Sequence, residues 1–155
     1  MDIKIRKGTK EDIKKVYDLV LELARFEKAG HEVINTPEKM MEEGFGSKPF
    51  FQFFVAEKAN EIIGMALYFF SYSTWKGKSL YLDDLVVTEE YRNRGIGKSL
   101  MIEVIKEAKK ENCGKLHWQV LDWNQPAINY YKALGSSFDG EWINCALTND
   151  QLNRY

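Results

Sequence analysis

Hydrophobic residues recur along this chain with two periods. Ile3, Ile5 and Lys7 alternate with charged residues and predict a first strand. Thr9-x-x-Asp12 resembles a capping box with Asp in place of Glu. Ile13, Val16, Tyr17, Val20, Leu23 and Ala24 then follow at helical spacing. Thr36-Pro37 reads as an N-cap followed by proline at the first helical position, opening a short helix that runs to about Gly44. Phe50–Glu57 and Ile62–Tyr72 are rich in aromatic and branched residues, which predicts two strands joined by a tight turn at Ala59-Asn60. Leu80–Val87 is a further apolar strand. Beyond Gly95, the residues Ile96, Leu100, Met101, Val104, Ile105 and Ala108 line one helical face, and Gly114 fits a C′ position. Lys115–Leu121 reads as a strand. Asn124–Leu134 reads as a helix that tolerates Pro126 in its first turn. Phe138–Leu147 is expected to supply one or two final strands.

The predicted order, β-α-α-β-β-β-α-β-α-β, argues for an α/β (α+β) domain with a mixed sheet. At 155 residues the chain is expected to form one domain, 1–155. Net charge is −1, from 22 basic and 23 acidic residues, so no broad electrostatic footprint for nucleic acid is implied. No apolar run is long enough to span a bilayer, and MDIKIRKGTKED lacks an apolar signal core. A cytoplasmic protein is therefore expected. Cys113 and Cys145 have no histidine nearby in sequence, and both read as structural residues, unbridged. His31 and His117 lie far apart and no Cys/His/Asp cluster has ligand spacing, so no metal is expected.

Chemistry concentrates in Leu80–Leu100, LYLDDLVVTEEYRNRGIGKSL. Gly97-Lys98-Ser99 looks like the end of a P-loop, but the required glycine five residues earlier is Arg92. Gly95-x-Gly97 looks like a dinucleotide fingerprint, but its third glycine would fall at Leu100. What remains is a strand feeding Arg92-x-x-Gly95-x-Gly97 and then a helix. Such a turn offers bare backbone N–H groups and a helix dipole to a pyrophosphate, with Arg92 and Arg94 as added cationic donors. This motif resembles the acyl-CoA pyrophosphate loop of the GCN5-related N-acetyltransferases (GNATs).

An acetyltransferase acting on an amine must deprotonate it. An alkylamine with pKa near 10.4 is only ~0.1% neutral at pH 7.4. A carboxylate near the motif strand is therefore sought, together with a weak acid for the leaving thiolate. Asp83 and Asp84 lie in an otherwise apolar strand, and alternation is expected to send them to opposite faces. Asp83 is the candidate. Tyr131, in NQPAINYY, has a pKa suited to protonating a thiolate, although the residue pattern alone favours Tyr130 and Tyr131 as packing aromatics.

Further blocks run in order through the chain: FEK at 26–28, EGFG at 43–46, PFF at 49–51, YSTWKG at 72–77, LYLDD at 80–84, YRNRGIG at 91–97, LDWNQ at 121–125 and YKALG at 131–135. Together they resemble the spermidine/spermine (diamine) N-acetyltransferases, and particularly their thialysine N-acetyltransferase branch. The resemblance implies a sheet splayed between its fourth and fifth strands and direct acetyl transfer from acetyl-CoA to a primary amine of a small molecule. The proton donor falls on Tyr131. The carboxylate that engages the amine falls on Asp83, where relatives usually have Glu, and the shorter side chain favours a bridging water. Pantetheine contacts fall on the backbone of Leu85, Val86 and Val87. Pyrophosphate contacts fall on Arg92, Asn93, Arg94, Gly95, Ile96, Gly97 and Lys98, and further CoA contacts on Asn124, Gln125, Pro126, Ala127 and Tyr131. Substrate contacts fall on Phe26, Glu27, Ser73, Trp75, Asp83, His117, Trp118 and Gln119. A homodimer is also implied.

Ser73-Thr74 stands where the polyamine-selective branch has Asp-Pro, which weakens the case for spermidine or spermine. A family carboxylate near the C-terminus has only Glu141 as a candidate counterpart. Two other readings fit the motifs: a protein or peptide lysine acetyltransferase, and a non-catalytic acyl-CoA-binding regulator.

Overall fold

A computed structural model describes residues 2–155, which fall into two compact units: one ending at Gln119 and one spanning Val120–Tyr155.

The first unit is a five-stranded mixed sheet. β1 (Lys4–Lys7), β2 (Gln52–Lys58), β3 (Glu61–Ser73) and β4 (Gly77–Val87) are antiparallel neighbours, and β5 (Lys115–His117) runs parallel to β4. Helix α1 (Ile13–Phe26) follows a tight turn in which Asp12 reaches back to the Thr9 N–H at 2.8 Å. Helix α2 (Pro37–Phe45) starts where the Thr36 hydroxyl accepts from the Lys39 N–H at 3.2 Å. Ile13, Val16 and Leu19 of α1 and Met40 of α2 bury one sheet face, with Phe53, Val55, Met65, Leu67 and Val86. Helix α3 (Ile96–Lys110) contributes buried Leu100, Met101 and Val104. With helices packed on it, β2 reads as an unbroken apolar run rather than an alternating one.

The tight turn at Ala59-Asn60 is present, with both residues at positive φ. Two strand expectations are corrected. The strand predicted over Lys115–Leu121 ends at His117. Its pairing with β4 covers only Ser79–Tyr81, and β4 runs on to Val87 without it. The sheet therefore opens between its fourth and fifth strands. The strands predicted over Phe138–Leu147 are not formed: residues 136–148 take no regular structure, and Trp142, Ile143 and Leu147 are exposed. No other strand lies among the described residues of that unit, so this segment has no ladder to join. Cys145 consequently lies exposed in irregular chain.

The second unit holds α4 (Gln125–Ala133) and a short α5 (Asn149–Leu152).

Candidate active site

At the point where β5 leaves β4, the register of β4 slips. Tyr68 pairs with Leu82 and Leu67 with Asp84, so Asp83 is an extra residue with no partner on β3. Alternation alone would send Asp83 and Asp84 to opposite faces; with the bulge between them and the ladder, the two carboxyls still act on one another. Asp84 shares its pairing level with Leu67, on the face covered by α1. Its carboxyl is pushed up to about 7, first by burial, then by repulsion from Asp83 and Glu27. Glu27, one residue beyond α1, is itself raised by burial and by Asp83. Asp83 is exposed by surface area, yet it is crowded enough that desolvation still raises it. The three carboxylates thus act on one another. Among the described residues, no cation hydrogen-bonds or ion-pairs with any of them.

Beside them lies an aromatic strip. The rings of Phe69 and Tyr81 are 5.2 Å apart, and those of Tyr81 and His117 are 4.9 Å apart and nearly perpendicular. Ser71 Oγ lies 3.2 Å from His117 Nε2. Burial, and then Lys115, pushes His117 down, so its ring is neutral at physiological pH. Tyr81 is raised by burial and by Asp83 and Asp84, which ties the strip to the carboxylates. A site with an aromatic wall and several uncompensated carboxylates suits a cation.

β4 leads into the glycine loop. Asn93 and Gly95 both have positive φ, 61° and 82°. At 82° a side chain would be strained, so Gly95 makes the corner into α3 possible. The ladder of α3 opens with the Ser99 N–H donating to Gly95 O at 3.0 Å, so the N–H groups of Ile96, Gly97 and Lys98 precede it. At Gly97 an added Cβ would meet only Val87 Cγ2, at 3.9 Å; the position is open toward the loop. Arg94 and Lys58 flank the Tyr91 ring at 5.3 and 4.7 Å. Arg92 is differently placed. Its Nε donates to Val87 O at 2.9 Å and its Nη2 to Glu22 at 3.2 Å.

The structure gathers Glu27, Asp83 and His117 in the first unit, and Phe26 lies against Arg92 at 5.2 Å. Trp118 and Gln119 follow directly on β5. Ser73 and Trp75 are not brought to the carboxylates. They sit at the β3–β4 hairpin, where Ser73 Oγ accepts from the Trp75 and Lys76 N–H groups. Ser73 pairs with Gly77, seven residues along β4 from Asp84, a separation of roughly 20 Å. In the second unit, Asn124 caps α4 by accepting from the Ala127 N–H at 3.4 Å, and Gln125 donates to Asn129 at 2.7 Å. Tyr131 is buried, with its ring 5.4 Å from Tyr130. Asp84 is the group that sequence reasoning passed over. Its signal was present in the second acidic residue of LYLDD, but the bulge that places it was not.

Residues 14–136 match the acetyltransferase (GNAT) family. The chain belongs to that family. Its members use acetyl-CoA as the acetyl donor. A thialysine N-epsilon-acetyltransferase from Mus musculus is 38% identical over 141 residues, 86% of this chain and 83% of its own. An L-ornithine N5-acetyltransferase from Arabidopsis thaliana is 38% identical over 102 residues, 64% of this chain and 45% of its own. Among solved structures, an integron cassette protein from the mobile metagenome of V. cholerae superposes with a TM-score of 0.80 over 99% of this chain and 97% of its own, at 23% identity, which shows the fold. Among the described residues no helix is long and apolar enough to cross a membrane, and no group of three potential ligands is placed to hold a metal.

Proposed function

We propose that this GNAT acetyltransferase acetylates the terminal primary amine of a small cationic molecule. Thialysine, ornithine-like amino acids and short diamines are the first candidates. The observation that carries the reading is the Glu27–Asp83–Asp84 cluster, set where the sheet opens and on the strand that feeds the glycine loop. The names of the two relatives point the same way, because both specify a side-chain amine of a basic amino acid.

In this reading, Asp83, exposed at the bulge, engages the ammonium group directly or through water. Asp84, poised at about 7, accepts its proton. The free amine attacks the thioester carbonyl, forming the C–N bond as the C–S bond breaks. The nitrogen then sheds a second proton. Tyr131 supplies a proton to the departing sulfur, so the turnover releases one proton net. Phe26, Glu27, His117, Trp118 and Gln119 surround the acceptor. The backbone of Leu85, Val86 and Val87 receives pantetheine, and Asn93, Arg94, Gly95, Ile96, Gly97 and Lys98 receive the pyrophosphate. Asn124, Gln125, Pro126 and Ala127 add contacts to CoA. A cytoplasmic homodimer is the expected setting, measurable by sedimentation.

A thiol-release assay with acetyl-CoA against thialysine, ornithine, lysine, putrescine, spermidine and spermine tests the proposal. Turnover is expected with thialysine or a short amine ahead of spermine. A preference for spermine, or turnover only with lysine-containing peptides, would overturn the substrate class. Acetyl-CoA binding without turnover of any amine would favour a regulator.

A further inference from the structure

The arginine that opens the glycine loop is engaged within the protein. Glu22, on the last turns of α1, gathers three contacts from the segment that follows β4. Its Oε2 accepts from the Thr88 hydroxyl at 3.1 Å, and its Oε1 accepts from the Glu89 N–H at 2.9 Å and from Arg92 Nη2 at 3.2 Å. Arg92 Nε donates back to Val87 O at 2.9 Å, closing the loop onto its own strand. The guanidinium carbon lies over the Phe26 ring, 5.2 Å from its centroid. Glu22 and Phe26 are four residues apart and so share a face of α1. Both contact the Arg92 guanidinium.

We propose that Glu22 and Arg92 form a positioning clasp, which holds the donor loop and the acceptor-side end of α1 in one register. Arg92 acts through this contact and not as a phosphate ligand. The inference rests on the reading above of the loop as donor-binding and of Phe26 and Glu27 as acceptor-side.

Three physical points support it. Glu22 and Arg92 side chains are 27% and 33% exposed, so breaking the pair leaves each partly desolvated charge without its counter-ion, held only by neutral partners. A phosphate drawn to Arg92 would meet the Glu22 carboxylate already on it, which repels an anion. The pair also spans the two halves of the reaction. Glu22 fixes Thr88 and Glu89, which lead to Asn93–Lys98, while Arg92 fixes Phe26, which leads to Glu27. Displacing either end should loosen the other, because the contacts share two side chains.

Glu22→Gln, Arg92→Gln, Arg92→Lys and the Glu22→Gln/Arg92→Gln double variant test the clasp. In the ligand-free protein, hydrogen exchange of the Glu89 amide is expected to quicken ~tenfold in Glu22→Gln, where the amide loses its charged acceptor, and to quicken in the Arg92 variants as well, where that acceptor loses its anchor. The acetyl-CoA Kd and the amine KM should both rise, and the double variant should be no worse than either single, because both substitutions remove one contact. Arg92→Lys is the sharpest arm. Lysine keeps a charge for phosphate but loses the planar fork, so it should behave like Arg92→Gln. The clasp is overturned if Arg92→Lys keeps wild-type acetyl-CoA affinity while Arg92→Gln loses it and Glu22→Gln does not, which is the signature of a phosphate ligand. Unchanged Glu89 exchange in Glu22→Gln overturns it as well. Wild-type protein that binds acetyl-CoA but acetylates no amine overturns the proposed function alone, because the exchange and donor-binding arms need no acceptor.

Discussion

Two carboxylate clusters sit on the same sheet and behave in opposite ways. In one, Arg6 of β1 donates to Asp12 at 2.8 and 3.0 Å and to Glu57 at 2.7 Å. Asp12 is held below the usual range by that guanidinium, against the opposing effect of burial and with help from the Thr9 N–H. Arg6 is raised correspondingly. In the other cluster, burial drives Glu27, Asp83 and Asp84 upward, and repulsion from Asp83 adds to it at Glu27 and Asp84. The difference is the cation. Where the chain supplies one, the cluster is a structural joint between β1, β2 and α1. Where it supplies none, the proposed function gives that place to the substrate's ammonium group.

Removing the charge at each centre should therefore have opposite consequences. Asp84→Asn is expected to produce the largest functional loss, ~10²–10⁴-fold in kcat/KM for the amine, with acetyl-CoA affinity nearly intact. The same variant should be more stable than wild type. The raised pKa means that ionised Asp84 weakens the fold as pH climbs from the unfolded value through about 7. The gain in Tm should thus be greatest at pH 8 and vanish below the unfolded value of ~4. Asp12→Asn should do the reverse. It should cost about 2 kcal/mol of stability above pH 5, because a lowered pKa contributes stability that is lost only as pH falls through it. Chemical denaturation of both variants across pH checks the pair. Equal losses of stability would erase the distinction.

Asp83→Asn should give a smaller effect with a defined sign. Removing its charge relieves repulsion on Asp84, so the rising limb of kcat/KM against pH should move to lower pH while amine KM increases. A limb that stays fixed would place Asp83 outside the acceptor site. Ser73→Asp should have the smallest effect. At roughly 20 Å from Asp84 along β4, beyond the Debye length at physiological salt, an added charge should change the spermidine-to-thialysine ratio less than about twofold. This differs from what the Asp-Pro pair of polyamine-selective relatives suggests for the position. A tenfold change would show that the hairpin reaches the acceptor.

Patterning made most of the first unit legible. Period-two and period-3.6 runs, the Thr36-Pro37 start and the Ala59-Asn60 turn all reflect local chemistry, and each lies where the residues indicate. The strand over Phe138–Leu147 was misread because apolar alternation signals only a capacity to pair, and the second unit provides no strand beside it. Asp83 was legible as a charge out of place in an apolar strand. Asp84 was not, because its role depends on a bulge that alternation cannot anticipate and on Glu27, 57 residues earlier in the chain. The motif also drew Arg92 toward phosphate, since a cation at a glycine loop invites that reading. Only the position of Glu22 on α1 shows where its guanidinium is held.

In the proposed function, Asp84 has no cation of the chain beside it and the substrate amine supplies one. The most direct measurement is a carbon-13 NMR titration of the aspartate carboxyls, with Asp84→Asn as the assignment, run with and without the preferred amine. The expected midpoint is near 7 in the free protein and falls when the amine binds. A midpoint near 4 in the free protein, unmoved by saturating amine, would contradict it.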